Sequence, residues 1–320
     1  MMARLTLLGL ALASSALTVL AARCSPNQNV LSCSAEAESG LVNSCEVETF
    51  GGLVLSTQFW DTYTGLESEG QVLPQNSWTL HGLWPDFCNG SWTQYCDLNR
   101  QYDPHPSPNT TTGTPDGTLV PPYHGPTVDT FLTALGKPGR TLLNWMNKFW
   151  IAQNEPNAVL WAHEFSKHAT CFSTFAPSCF SPEALDSHAD VLDYFAASAD
   201  FFNRLPTYDW LAAGSIRPSN ATAYTLADIQ AALAGRHGAA PYVGCAGPRY
   251  NETEAGRGSL DNGRTVLAEV WYYYHVYGPV QKGKGKSVGA DVNSGSTSSC
   301  ARAEGAVWYY ERTPGSEGRR

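Results

Sequence analysis

Positive charge is in short supply in this 320-residue chain, where 20 lysines and arginines stand against 29 aspartates and glutamates, a formal net charge of −9 at pH 7. Such a chain lacks the basic footprint that broad, sequence-independent adhesion to polyanions requires. The deficit does not exclude a polyanionic substrate. A cleft can focus local positive potential on an acidic protein, and at acid pH protonated carboxylates and charged histidines lower the repulsion. Long apolar runs are missing too: the stretch 5–20 is shorter than the ~20 residues of a membrane span, and no later stretch qualifies. Set between Arg4 and Ala21-Ala22, it reads instead as the apolar part of a secretory signal peptide over 1–22, so a soluble, exported chain with no membrane partner is expected. No internal repeat or long low-complexity linker divides the roughly 298 residues that remain, which predicts one domain over 23–312 and a polar tail over 313–320. A nucleotide-binding loop is lacking as well. The segment 278–284 matches GxxxxGK, but Gly285 stands where Ser or Thr is needed, Pro279 stiffens the loop and no helix follows.

Cysteine, by contrast, is plentiful. Nine follow the leader, at 24, 33, 45, 88, 96, 171, 179, 245 and 300, which predicts a disulfide framework in an oxidising compartment with one thiol left over. Asn89, Asn109, Asn220 and Asn251 each open an Asn-x-Ser/Thr sequon and are glycosylation candidates in an exported chain. Strands are predicted over 53–60, 78–80, 266–277 and 307–310 from their β-branched and aromatic content. Apolar spacing predicts two helices within 130–150, parted at 136–139, and further helices over 182–205 and 226–233. Strands and helices segregate rather than alternate, which indicates an α+β single domain. The Pro-, Thr- and Gly-rich stretch 101–128 shows no apolar periodicity and reads as a long exposed insertion.

Two short segments carry the chemistry. Immediately after Leu80 comes His81-Gly82-Leu83-Trp84-Pro85-Asp86, read as a sharp turn that leaves His81 at a strand end, where a side chain can project into a cleft. The second segment, 161–171, places two histidines, a carboxylate and a lysine between positions 163 and 168. Wound as a helix at about 100° per residue, it sets His163, Lys167, Glu164 and His168 within an arc of roughly 140°, with Ala162, Phe165 and Ala169 on the packing side. The pairs Glu164/His168 and His163/Lys167 are also ordinary i,i+4 surface partners. Zinc is not expected, because the two histidines are five apart rather than the four of HExxH. Gln58 interrupts an apolar strand, either as a surface-facing residue or as an amide beside a ligand.

Together, Leu80-His81-Gly82-Leu83-Trp84-Pro85 and His163-Glu164-Phe165-Ser166-Lys167-His168-Ala169-Thr170-Cys171 resemble the two active-site blocks of the ribonuclease T2 family, secreted or vacuolar endoribonucleases. The likeness extends to Gln58-Phe59-Trp60, the cysteine pattern and the region 245–310, nearly all of the mature chain. It implies an antiparallel central sheet with helices packed around it. It implies a secreted, monomeric enzyme that cleaves single-stranded RNA with low base specificity, leaving 2′,3′-cyclic phosphates and then 3′-phosphates. By resemblance, His168 is the base and His81 the acid of the first step, Glu164 and Lys167 stabilise the phosphorane, and His163 holds the phosphate. The nucleophile is the substrate's own 2′-hydroxyl, so no metal or cofactor is expected and DNA should be inert. Trp84, Asp86 and Trp92 match a first base pocket, Gln58 and Leu160 part of a second. Phe165 and Ala169 stand where Trp and Gly are usual. The family pairing joins Cys33 with Cys88, Cys45 with Cys179, Cys96 with Cys171 and Cys245 with Cys300. Cys24 is then a free thiol, because Glu46 occupies its partner's position. A catalytically silent member of the same scaffold is the alternative; retention of His81, Glu164, Lys167 and His168 argues against it.

Overall fold

The structure is a computed structural model that describes residues 29–246, 264–290 and 296–318, so the leader, Cys24 and Asn251 lie outside the described residues. In chain order the elements begin with strands β1 (Leu53–Phe59) and β2 (Thr79–Asp86), then helices α1 (Val128–Ala134), α2 (Lys137–Phe149) and α3 (Asn157–Lys167). They continue with α4 (Pro182–Asp186), α5 (Ala189–Asn203), α6 (Thr207–Ala213), β3 (Ala223–Tyr224) and α7 (Leu226–His237). The last strands are β4 (Tyr242–Ala246), β5 (Thr265–Val276), β6 (Gly285–Val288) and β7 (Val307–Trp308). The architecture is α+β, as the segregated pattern predicts.

β1 lies between β2 and β5, antiparallel to both, and β4 and β6 also pair antiparallel with β5. Only β7 runs parallel to β5 among the described strands. β1 shows the two-faced logic of the sheet. Val54 faces the helical layer with Leu80, Leu83, Phe165 and Tyr194, while Leu53 and Leu55 face the other side with Tyr273. A second core lies under α6 and α7 against Val270 and Tyr272 of β5.

The helix expected over 182–205 is two, α4 and α5. His188 adopts a left-handed backbone (φ 58°), and its ring stacks on Phe131 at 3.7 Å, so the chain turns there. The break between α1 and α2 falls at Gly136, whose φ of 73° suits glycine. The stretch 101–127 forms no helix or strand, yet it is not a wholly exposed insertion. Gln101, Asp103 and Val120 are buried, and Tyr102 packs on Phe131 and Phe165. It docks through polar bonds instead of an apolar stripe, for example Tyr102 N donating to Ser166 Oγ (2.8 Å), and so leaves no periodic trace. Residues 313–318 are pinned as well, through Leu73 N to Ser316 O (2.7 Å) and Gly318 N to Leu73 O (2.9 Å). The four disulfides are Cys33–Cys88, Cys45–Cys179, Cys96–Cys171 and Cys245–Cys300, the pairs that the resemblance implies.

Candidate active site

His81 is not at a strand end. β2 continues through Pro85 to Asp86, which the missing Pro N–H permits because β2 is the edge strand. Thr57 pairs with Gly82 and Gln58 with Leu80, so His81 is the extra residue of a β-bulge. The polar groups freed by the bulge are met locally: Trp150 Nε1 donates to His81 O (2.7 Å), and Thr57 Oγ1 accepts from Gly82 N (3.0 Å) and donates to Gly82 O (3.1 Å). The extra residue also shifts the side-chain alternation, so His81, Trp84 and Asp86 come to line one hollow despite their mixed parity. The His81 ring stacks on Phe59 (3.7 Å) and meets Trp84 edge-on (4.7 Å).

α3 supplies the other wall. Ala162, Phe165 and Ala169 are buried, as the packing face predicts, but Glu164 is buried too. Its Oε2 accepts from Trp84 Nε1 (2.8 Å), and its Oε1 lies 3.6 Å from His81 Nε2. The approach requires glycine at 82, where a Cβ would fall 1.7 Å from Glu164 Oε2. The helix stops at Lys167. His168 is its C-cap, its N–H still donating to Glu164 O (3.2 Å) before a 3₁₀ turn over Ala169–Cys171; its ring lies flat on Trp84 at 4.9 Å. Trp84 thus holds one histidine at its edge and the other on its face.

His81, His163, Glu164, Lys167 and His168 line a cavity of about 450 Å³ with Trp84, Asp86 and Trp92. A second hollow of similar size shares His81, His163 and Lys167 and adds Leu160, Asp103, His105 and Glu155. Gln58 reaches neither. It faces the helices fully buried, its Nε2 donating to Leu205 O (3.0 Å) and its Oε1 accepting from Thr207 Oγ1 (2.7 Å), which corrects the surface-facing reading; it borders instead a smaller cavity of about 160 Å³ with Trp78, Leu205 and Thr207. Sequence reasoning missed Glu269 of β5, whose Oε1 lies 3.2 Å from His81 Nδ1. A lone carboxylate inside the most aromatic strand was the available signal. Asp103, at 2.7 Å from His163 Nδ1, left no such signal within its irregular stretch.

Burial holds the His168 imidazole well below its ordinary pKa, helped by the positive neighbours Lys167, His163 and His81. Burial also lowers Lys167, against the pull of Glu164 and Asp103. Asp103 would be raised by burial, but the hydrogen bond and charge of His163 outweigh this and keep it below the usual carboxylate range. Asp86 is pushed up to about 7 by burial. Its ionised form therefore opposes folding, fully above pH ~7 and no longer below the unfolded value near 4. Asp86→Asn is accordingly expected to melt higher than the wild type at pH 8, with the difference closing by pH 4. Thermal melts at the two pH values check this, and a variant that melts lower at pH 8 would refute it.

Among the described residues no group of three His, Cys, Asp or Glu side chains is disposed to hold a metal ion, and no helix is long and apolar enough to cross a membrane. Residues 51–285 match the model of the Ribonuclease T2 family. Ribonuclease T2-like 1-A of Candida albicans is 34% identical over 255 residues, 80% of this chain and 52% of that protein. Ribonuclease Le2 of Lentinula edodes is 34% identical over 264 residues, 81% of this chain and 87% of that protein. The chain thus spans about half the length of the Candida relative. The crystal structure of Actibind, a T2 ribonuclease, superposes with a TM-score of 0.65 at 29% identity, covering 90% of this chain and 98% of that one.

Proposed function

The chain belongs to the ribonuclease T2 family, and from that premise we propose that it is an endoribonuclease cutting single-stranded RNA through the substrate's own 2′-hydroxyl. The observation that carries this reading is the pair His81 and His168, set on the edge and face of one indole at the wall of one cavity. Cleavage needs a base for the 2′-hydroxyl proton and an acid for the departing 5′-oxygen. His168, kept neutral by burial and cationic neighbours, suits the base, because it stays able to accept a proton in acid solution. His81, at ion-pair distance from Glu269 and Glu164, suits the acid, since its imidazolium has carboxylates on both ring nitrogens. Lys167 and His163 meet the charge that gathers on the phosphorane, with Glu164 beside them at the same wall. Water then opens the 2′,3′-cyclic phosphate with the two histidines exchanging roles, leaving a 3′-phosphate.

Trp92, 55% exposed, offers a face on which a base can stack whatever its identity, which supports low base specificity, with Trp84 and Asp86 lining the same cavity. Leu160 borders the hollow for the neighbouring nucleotide, while Gln58 has no part in it. The signal-like leader and four disulfides support export, outside the cell or to a vacuole. Asn89, Asn109 and Asn220 are exposed and open to glycan attachment.

Digestion of yeast RNA at about pH 4–5 in excess EDTA tests the reading. Continued cleavage with transient cyclic ends, and intact single-stranded DNA alongside, is expected. Abolition by EDTA would point to a metallohydrolase, and inactivity at every pH to a silent member of the fold.

A further inference from the structure

His163 and Lys167 stand one turn apart on α3, with Lys167 Nζ 3.5 Å from His163 Nε2. A ring of contacts closes around them. Asp103 Oδ2 accepts from His163 Nδ1 (2.7 Å) and from the Tyr95 hydroxyl (2.8 Å). The Tyr95 hydroxyl in turn accepts from Ser107 N (3.1 Å), and Ser107 O accepts from Lys167 Nζ (3.0 Å), which returns the ring to α3. We propose that Asp103 and Tyr95 are positioning residues that hold His163 and Lys167 together as one phosphate-binding pair. This rests on the ribonuclease reading above, and it makes the irregular stretch after Gln101 part of the active site.

A carboxylate only accepts, so the Asp103 contact places the hydrogen on His163 Nδ1 and turns Nε2 toward Lys167 and the shared hollows. Asp103 is fully buried, and its second oxygen is occupied by His105 N (2.7 Å), so its charge is committed to this cluster. Its depressed pKa keeps that charge in acid solution. Tyr95 is 1% exposed and lines neither hollow; it works through its neighbours. Burial holds its hydroxyl above the ordinary range, so it remains a donor to Asp103. Its backbone is left-handed (φ 49°), disfavoured for an aromatic residue, and is held there by Tyr95 N donating to Lys167 O (3.0 Å) and by the adjoining Cys96–Cys171 disulfide. Such a conformation at a buried hub is what a positioning role demands.

The test uses kcat and KM on a ribodinucleoside monophosphate together with calorimetric binding of inorganic phosphate. It compares the wild type, Asp103→Asn, Tyr95→Phe, His163→Ala and the double variant Asp103→Asn/His163→Ala. Asp103→Asn is expected to weaken phosphate binding and raise KM about tenfold, with kcat changed by no more than about threefold, because a charge-assisted hydrogen bond is lost away from the reacting atoms. Tyr95→Phe should move the same two quantities in the same direction by less. Since Asp103 acts through His163, the double variant should bind phosphate no worse than His163→Ala alone. Unchanged phosphate binding in Asp103→Asn, or a double variant showing the full product of both losses, overturns the proposal. Should Asp103→Asn fail to fold in a thermal melt, Tyr95→Phe carries the test, and unaltered phosphate binding there overturns it equally. A wild type that binds phosphate without cleaving RNA would sink the ribonuclease reading, while the binding cycle would still decide this one.

Discussion

His168→Ala is expected to lower kcat/KM on single-stranded RNA about a thousandfold, within the range that a positioned proton-transfer group contributes, while its melting temperature stays near that of the wild type. The His168 ring stacks on Trp84 at the cavity wall, so its removal deletes chemistry before it deletes packing. The pH profile gives the sharper reading. Because burial and the Lys167, His163 and His81 charges hold the His168 pKa well down, the acidic limb of the kcat/KM profile should fall below the ~6.5 of free imidazole. Lys167→Met removes one of the positive neighbours, so the His168 pKa rises and the acidic limb moves to higher pH, alongside whatever rate Lys167 itself supplied. Near-wild-type turnover in His168→Ala would remove the proposed base. A limb that moves to lower pH in Lys167→Met would show that another group sets it.

The second large effect concerns the Cys96–Cys171 disulfide, which closes a sequence separation of 75 residues. Restricting an unfolded loop of that length is worth about 4 kcal/mol in the chain-entropy model, so Cys96→Ser/Cys171→Ser should lose roughly that much in urea unfolding at neutral pH. The loss should be functional too. Cys171 ends the 3₁₀ turn that begins just after His168, and Cys96 follows the left-handed Tyr95 whose amide bonds to Lys167 O. The bridge therefore clamps the segment before the 101–127 stretch onto the end of α3. A variant within about 1 kcal/mol of the wild type would mean that the bond restrains little that the packing does not already hold.

How far the molecule could be read from its residues differs from element to element. β1 and β5 were plain, because their β-branched and aromatic runs have no competing structure. α1 and α2 were plain for their apolar spacing and the glycine between them. α5 was misjudged as part of one longer helix, since nothing local announces that His188 will turn left-handed to stack on Phe131. In the site, the histidines, Glu164 and Lys167 stood out by type and spacing, whereas Asp103 lay in a stretch without period and Glu269 in a strand that looked wholly structural.

By itself, then, the order of residues determined which chemical groups the chain possesses, the α+β segregation of its elements and, through the likeness of two short blocks, its family. Only the tertiary structure decided where those groups point. His81 shares a hollow with Trp84 because Thr57 of the neighbouring strand stabilises a bulge, and Gln58 borders a different, smaller cavity because the strand's alternation turns it to the helices. The physical reason is common to both cases: a side chain's identity is local, but its direction depends on register and partners that lie elsewhere in the chain.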